Sequence, residues 1–182
     1  MLNRNNSLLN LIIILFTFFF STVLSAENND FILPKKKVYI PHNDSLKLKN
    51  VPLGVVSNND TRILWNGPKN WLLVSTKKDL LKNISEVFKE ADFAVTDLSH
   101  SKAIIEIEGK DAKEILKKGC PFNFNILKKN NSINSTYNGM SFTVDMIEND
   151  PDKIRLFALR SFGESLYYSI TDASLEFGFK SL

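Results

Sequence analysis

The chain has 182 residues, 43% hydrophobic and 24% charged, with a formal net charge of +3 from 23 basic and 20 acidic side chains. Seven glycines, six prolines and one cysteine exclude collagen-like, low-complexity and disulfide-scaffold chains, and lysines spread along a nearly neutral chain exclude a strong field for nucleic acid. What is left is a globular chain of about one domain's length, long enough to bury a core.

Residues 1–26 differ from all that follows. Arg4 is the only charge, Leu8 to Leu24 is almost wholly apolar, and Ser21, Ser25 and Ala26 precede the polar Glu27-Asn28-Asn29-Asp30. A positive start, an apolar stretch and a small-residue exit form the layout of a secretory signal peptide. The run is also close to the ~20 apolar residues that span a bilayer, so a membrane anchor fits the same letters, as does a start assigned too far upstream. Residues 27–61 are polar and loosely patterned, with Pro34, Lys35-Lys36-Lys37, Pro41, Pro52 and the turn signal Asn58-Asn59-Asp60. They read as a linker with room for an edge strand at Val38 to Ile40, and the main domain is expected over 62–182.

Within that domain, strand, strand and helix recur three times. Arg62 to Trp65 and Trp71 to Val74 flank the turn Asn66-Gly67-Pro68-Lys69. Thr76 and Asp79 have capping-box spacing before a helix whose stripe is Leu80, Leu81, Ile84, Val87 and Phe88. Phe93 to Thr96 and the alternating Ala103, Ile105 and Ile107 make the second strand pair, joined through Asp97-Leu98-Ser99-His100-Ser101. Asp111 is positioned to cap the next helix, which Gly119 is expected to end in a left-handed conformation with Pro121 beyond it. Residues 120–139 show no sustained period and read as a loop with a short strand at Phe122 to Ile126. Phe142, Val144 and Met146 alternate with polar residues, Asn149-Asp150-Pro151-Asp152 turns the chain, and Ile154 to Leu159 returns. Ser161 with Glu164 predicts a capped last helix carrying Phe162, Leu166, Ile170, Ala173 and Phe177 on one face. The pattern predicts an α+β fold, an antiparallel or mixed sheet of hairpins with about three helices on one face.

Reactive groups are sparse. Asp97, Ser99 and His100 are neighbours in one turn, whereas catalytic triads are assembled by the fold from distant positions. His42 has no second ligand at metal spacing, and Cys120 follows a helix C-terminus, where the dipole does not favour a thiolate. There is no Gly-rich phosphate loop and no His-Glu-x-x-His stretch.

Several stretches are similar to one known family. Leu64-Trp65-Asn66-Gly67-Pro68-Lys69-Asn70-Trp71-Leu72-Leu73 resembles the W-x-G-P-D-E-W-L-L segment of the gamma subunit of heterotetrameric sarcosine oxidase. Thr96 to His100 is similar to its v-D-v-S-h element. Ile107 to Ala112 followed by Leu116-Lys117-Lys118-Gly119-Cys120-Pro121 resembles its l-x-G-x-x-A…L-x-K-G-C-p stretch. Leu159-Arg160-Ser161-Phe162 and Glu176-Phe177-Gly178 match its ending, and Thr136 falls near its loop threonine. Lys69-Asn70 replaces its acidic pair, Asn123 its aspartate after the cysteine motif, Ser101 a frequent basic residue and Asn134 a loop glycine.

The resemblance implies a fold like the folate-binding domains of the glycine-cleavage T-protein group. It also implies a non-catalytic accessory role in a complex that oxidatively demethylates sarcosine to glycine. FAD, FMN, NAD and tetrahydrofolate are then expected on partner subunits, with alpha, beta and delta chains as partners and the cytoplasm as the location, against the export suggested by residues 1–26. No catalytic, cofactor or metal residue is assigned to this chain. Gly67 and Pro68 are expected to set the first hairpin, with Trp65 and Trp71 supplying apolar area for core or partner. Asp97 and Ser99 shape the second turn, and Gly119 ends the middle helix. Arg160 and Ser161 join strand to helix, Ser161 as cap and Arg160 available to a carboxylate. A stand-alone folate-binding protein and an exported envelope interaction protein are the rival readings.

Overall fold

In this computed structural model the described residues are 12–17, 50–58, 60–77, 80–87 and 94–181. Two antiparallel sheets carry them. The first has the order β2-β3-β4-β1-β5, from β1 (Ile12–Thr17), β2 (Val55–Ser57), β3 (Thr61–Gly67), β4 (Asn70–Ser75) and β5 (Ala94–Asp97). The second has the order β6-β9-β8-β7, from β6 (Lys102–Glu108), β7 (Asn131–Tyr137), β8 (Met140–Asn149) and β9 (Asp152–Leu159). Helix α1 (Leu80–Val87) lies between β4 and β5 in the chain, α2 (Ala112–Lys117) follows β6, and α3 (Gly163–Ser174) follows β9.

Alternation along β8 and β9 explains how the second sheet becomes the middle layer. Phe142, Val144 and Met146 of β8, with Ile154, Leu156 and Ala158 of β9, point to one face and pack with Ile115 and Leu116 of α2 and Leu166 and Ile170 of α3. Each of these side chains larger than alanine contributes roughly 1.5–3 kcal/mol on burial. The opposite face is covered too. Phe157, fully buried, joins Val55, Leu64, Leu72 and Val74 of the first sheet in a second cluster. On the far side of the first sheet Ile63 and Leu73 are buried, as are Leu80 and Ile84 of α1, which lies along β1.

The two sheets are joined by one buried ion pair. Arg62 of β3 donates from Nε and Nη2 to the two carboxylate oxygens of Asp145 on β8, each at 2.7 Å, and Asp145 is 0% exposed. Arg62 Nη1 also donates to Asn130 Oδ1 at 3.2 Å, so most of the guanidinium's donors are used. Polar contacts extend this seam: Asn134 Nδ2 donates to Asn66 O at 2.7 Å, and Gly54 bridges to Asn131.

The fold is α+β with antiparallel pairing and three helices, but the strands form two stacked sheets rather than one sheet with helices on a single face. The stretch 120–139, expected as a loop, contains β7, and Phe124–Ile126 is a 3-10 turn rather than a strand. β7 reads Asn-Ser-Ile-Asn-Ser-Thr-Tyr, a polar sequence held by cross-strand pairing with β8 and by the first sheet lying over it. The expected linker 27–61 also reaches into the fold. β2 pairs with β3, and Asn50 Oδ1 accepts from Trp65 Nε1 and Lys69 N. Within 1–26, Ile12–Thr17 pairs with both β4 and β5, whereas 1–11 and 18–49, with His42 and Val38 to Ile40, lie outside the described residues.

Two helix ends depart from their sequence signals. Gly119 does not have a positive φ; a Cβ there would lie 2.6 Å from the Tyr137 ring, so close packing requires the glycine. Ser161 is exposed within the 3-10 turn Arg160–Phe162, and α3 starts at Gly163 with no side-chain cap. The additional turn moves the helix start past the serine, and the missing Cβ of Gly163 lets the chain pass Ala103 of β6. Asp111 does precede α2, yet its side chain makes no cap hydrogen bond. Lys118, at the end of α2, donates to Ala173 O near the end of α3 at 2.6 Å.

Asp145→Asn, which leaves the part-buried Arg62 without its counter-charge, is expected to cost ~3–5 kcal/mol in urea denaturation; a loss under ~1 kcal/mol contradicts the assigned weight of the pair. Gly119→Ala is expected to cost about 1–3 kcal/mol through overpacking on Tyr137. Gly67→Ala, whose Cβ would meet only Asn70 Cβ at 3.9 Å, is expected to be nearly silent in the same measurement.

Candidate functional site

The first hairpin places its two tryptophans opposite each other, Trp65 on β3 paired with Trp71 on β4. Trp71 is buried and Trp65 half-buried. The register shifts between Trp65 and Gly67, and Lys69, not Gly67, takes the left-handed conformation at φ 57°. Pro68 is exposed at the tip. The second turn is organised by Asp97, whose Oδ1 accepts from Ser99 N at 2.9 Å and from Ser99 Oγ at 2.5 Å. This Asx-type arrangement replaces the hydrogen bonds that the strand end lacks. The Ser99 hydroxyl first, and then the Ser99 amide, hold the Asp97 carboxyl below the usual carboxylate range.

Arg160 meets that turn from the end of β9. Its backbone N–H donates to Ser101 O at 2.9 Å, and Nη1 reaches His100 O at 3.5 Å. Asp97, Ser99, Arg160 and Ser161 therefore gather at one end of the second sheet, and the hairpin of Trp65, Gly67, Pro68 and Trp71 lies over β7. Gly119 sits apart, against Tyr137. Tyr137 donates its hydroxyl to Ile115 O at 3.1 Å, and burial raises its pKa above the ordinary value. Cys120 is buried with Sγ 3.2 Å from Ser135 Oγ, and His100 is exposed. Among the described residues no three His, Cys, Asp or Glu side chains are grouped to hold a metal, and no helix is long and apolar enough to cross a membrane.

A cleft of about 540 Å³ opens between Asn66 of the hairpin and Lys102 at the start of β6, with Thr136, Ser141, Phe157 and Leu159 in its lining. Asn134 braces it, accepting from Thr143 Oγ1 at 2.6 Å while donating to Asn66 O. Lys102 is half-buried and makes no ion pair or side-chain hydrogen bond among the described residues. Desolvation holds its pKa below the ordinary lysine value. Further along the same sheet every cation is matched: Arg155 with Glu106, and Lys153 with Glu106 and Glu108, the Glu108 hydrogen bond raising the Lys153 pKa. Sequence reasoning missed Lys102 because it occupies a polar position of an alternating strand, which periodicity assigns to water.

The turn at Asp97 has a titration signature. Ser99→Ala should raise the Asp97 pKa toward the ordinary aspartate value in an NMR titration of the side-chain carboxyl, and an unchanged value would contradict the assigned cause. Because the folded-state pKa is depressed, the carboxylate's contribution to the turn is present above the unfolded-chain pKa and fades as pH falls through the lower folded value.

Comparison with known proteins gives this geometry a family. No curated protein matches the chain. Among solved structures, a chain of the "Heterotetrameric Sarcosine Oxidase from Corynebacterium sp. U-96 in complex with pyrrole 2-carboxylate" superposes with a TM-score of 0.74 at 18% identity, over 95% of this chain and 84% of that one. At that identity the likeness is one of fold. A sequence profile of the sarcosine oxidase, gamma subunit family matches residues 39–176, which takes in β2 through α3. With well over half its length matched, the chain belongs to the sarcosine oxidase gamma subunit family.

Proposed function

We propose that this chain is the accessory gamma subunit of a heterotetrameric sarcosine oxidase and is itself without catalytic residues. The observation that carries this reading is the family match over 39–176, supported by the fold shared with a chain of the Corynebacterium complex. In such a complex the N-methyl group of sarcosine is oxidised, glycine is released, and the one-carbon unit leaves as formaldehyde or on tetrahydrofolate while O₂ is reduced to H₂O₂. FAD, FMN, NAD and tetrahydrofolate are assigned to the alpha, beta and delta partners, and the complex to the cytoplasm. The gamma chain's contribution is a rigid two-sheet body that buttresses those subunits. Its fold, by analogy with T-protein folate domains, does not by itself imply a folate site.

This role requires the described strand β1 in the working protein. Ile12 to Thr17 occupies the position between β4 and β5, and its removal leaves both strands without that partner. Mass spectrometry of the native chain is therefore expected to find residues 12–17 present; a native N-terminus near Glu27 would contradict that requirement.

Co-expression with the chains encoded beside it, followed by purification on a gamma-chain tag, is expected to recover flavin-absorbing large subunits and sarcosine-dependent H₂O₂ production. A well-behaved monomer that recovers no partner, or that binds tetrahydrofolate tightly unaided, would overturn the proposal.

A further inference from the structure

We propose that the open end of the second sheet, where Lys102 of β6 lies beside Leu159 and Arg160, is the surface that receives a carboxylate-bearing segment of a partner subunit. The inference rests on the gamma-subunit reading and says where on the chain the partner docks, and through what chemistry.

Charge complementarity is the first support. Lys102 is half-buried without a counter-ion among the described residues, and the guanidinium of Arg160, one residue beyond the register partner of Lys102, has among those residues only the His100 carbonyl as a hydrogen-bond partner. Neither cation at this end of the sheet has an acidic partner among the described residues, whereas Lys153 and Arg155 further along are paired. A cation moved part-way out of water without compensation is a cost to the free chain. An incoming carboxylate removes that cost, and with charge-assisted hydrogen bonds it also fixes register.

Apolar area is the second support. Ile104 is 38% exposed, Leu159 45% and Phe162 38%, three large side chains on the two strands and the turn that carry the cations. The Thr136 and Ser141 hydroxyls line the adjoining cleft. An apolar patch with polar groups at its margin is the anatomy of a subunit contact. A small free carboxylate accounts for Lys102 but leaves Ile104, Phe162 and Arg160 unexplained; a segment of a partner chain accounts for all four. Among the described residues β6 is also the outer strand of its sheet, paired only with β9, which offers its edge to the same segment.

The test uses the co-expressed complex and the full-length chain. Lys102→Glu and Arg160→Glu are expected to lower gamma-chain retention by tenfold or more in a salt-graded pull-down. Lys102→Arg is expected to restore it, and Lys110→Glu, at a side chain 92% exposed beyond the other end of β6, to leave it unchanged. Melting curves of the full-length variants check that they fold. An amine-acylating reagent at pH 8.5 is expected to label Lys102 in the lone chain and to spare it in the complex. A complex that forms normally yet keeps both charge-reversed variants, or leaves Lys102 equally reactive, overturns this surface alone. Shielding of Lys102 in the lone chain by acetate or pyrrole-2-carboxylate also overturns it, in favour of a small ligand. Failure of the unmodified chain to assemble overturns the subunit reading and the surface with it.

Discussion

The fold depends on the bidentate pair between Arg62 and Asp145. A carboxylate with no exposed surface is costly to desolvate, and only near-ideal geometry offsets that cost. Here both carboxylate oxygens are met at 2.7 Å, and the remaining guanidinium donors find Asn130 and the Met146 carbonyl. The pair is directional where the apolar cluster around Phe157 is not. Hydrophobic contact between sheets is satisfied by several offsets; a two-pronged charge pair accepts one. It therefore sets where the first sheet lies on the second.

That placement decides what is left uncovered. On the face toward the first sheet, neighbouring positions run in rows across the strands: Glu106, Arg155 and Asp145 in one, Ile104, Phe157 and Thr143 in the next, then Lys102 and Leu159. The first sheet covers the β8 and β9 side of the first two rows, and its hairpin brings Asn66 to the rim of the cleft. Among the described residues nothing covers the third row fully. Lys102 is consequently neither fully solvated nor paired, and Leu159 is partly exposed. The site is thus a result of where one sheet ends on another, and of the glycine-allowed approach of the last helix to β6.

Element types with strong periodicity were legible in the sequence: β3, β4, β6, β8, β9 and the three helices follow from alternation, helical stripes and turn residues. β7 was not, because its stability comes from partners on both sides rather than from its own Asn- and Ser-rich letters. The second sheet's two-sided burial was hidden for a related reason. Thr143, Asp145 and Phe157 occupy alternate positions that a one-sided sheet gives to solvent, and only stacking makes them interior. Glycine positions were legible but their reasons were not; Gly119 looked like a left-handed stop and is a packing site under Tyr137. The motif residues Asp97 and Arg160 lie in the segments beside Lys102, yet in the sequence Lys102 looked like any surface lysine. Its burial exists only after folding.

If stacking leaves the Lys102 end of the second sheet as the contact face for a partner, assembly must cover that end. Hydrogen–deuterium exchange of the full-length chain, alone and within its co-purified complex, tests it most directly. Backbone amides of 102–106 and 159–163 should slow markedly on assembly while those of 112–118 on the helical side keep their rates. Protection confined to the helical side, with 102–106 exchanging as in the free chain, would contradict it.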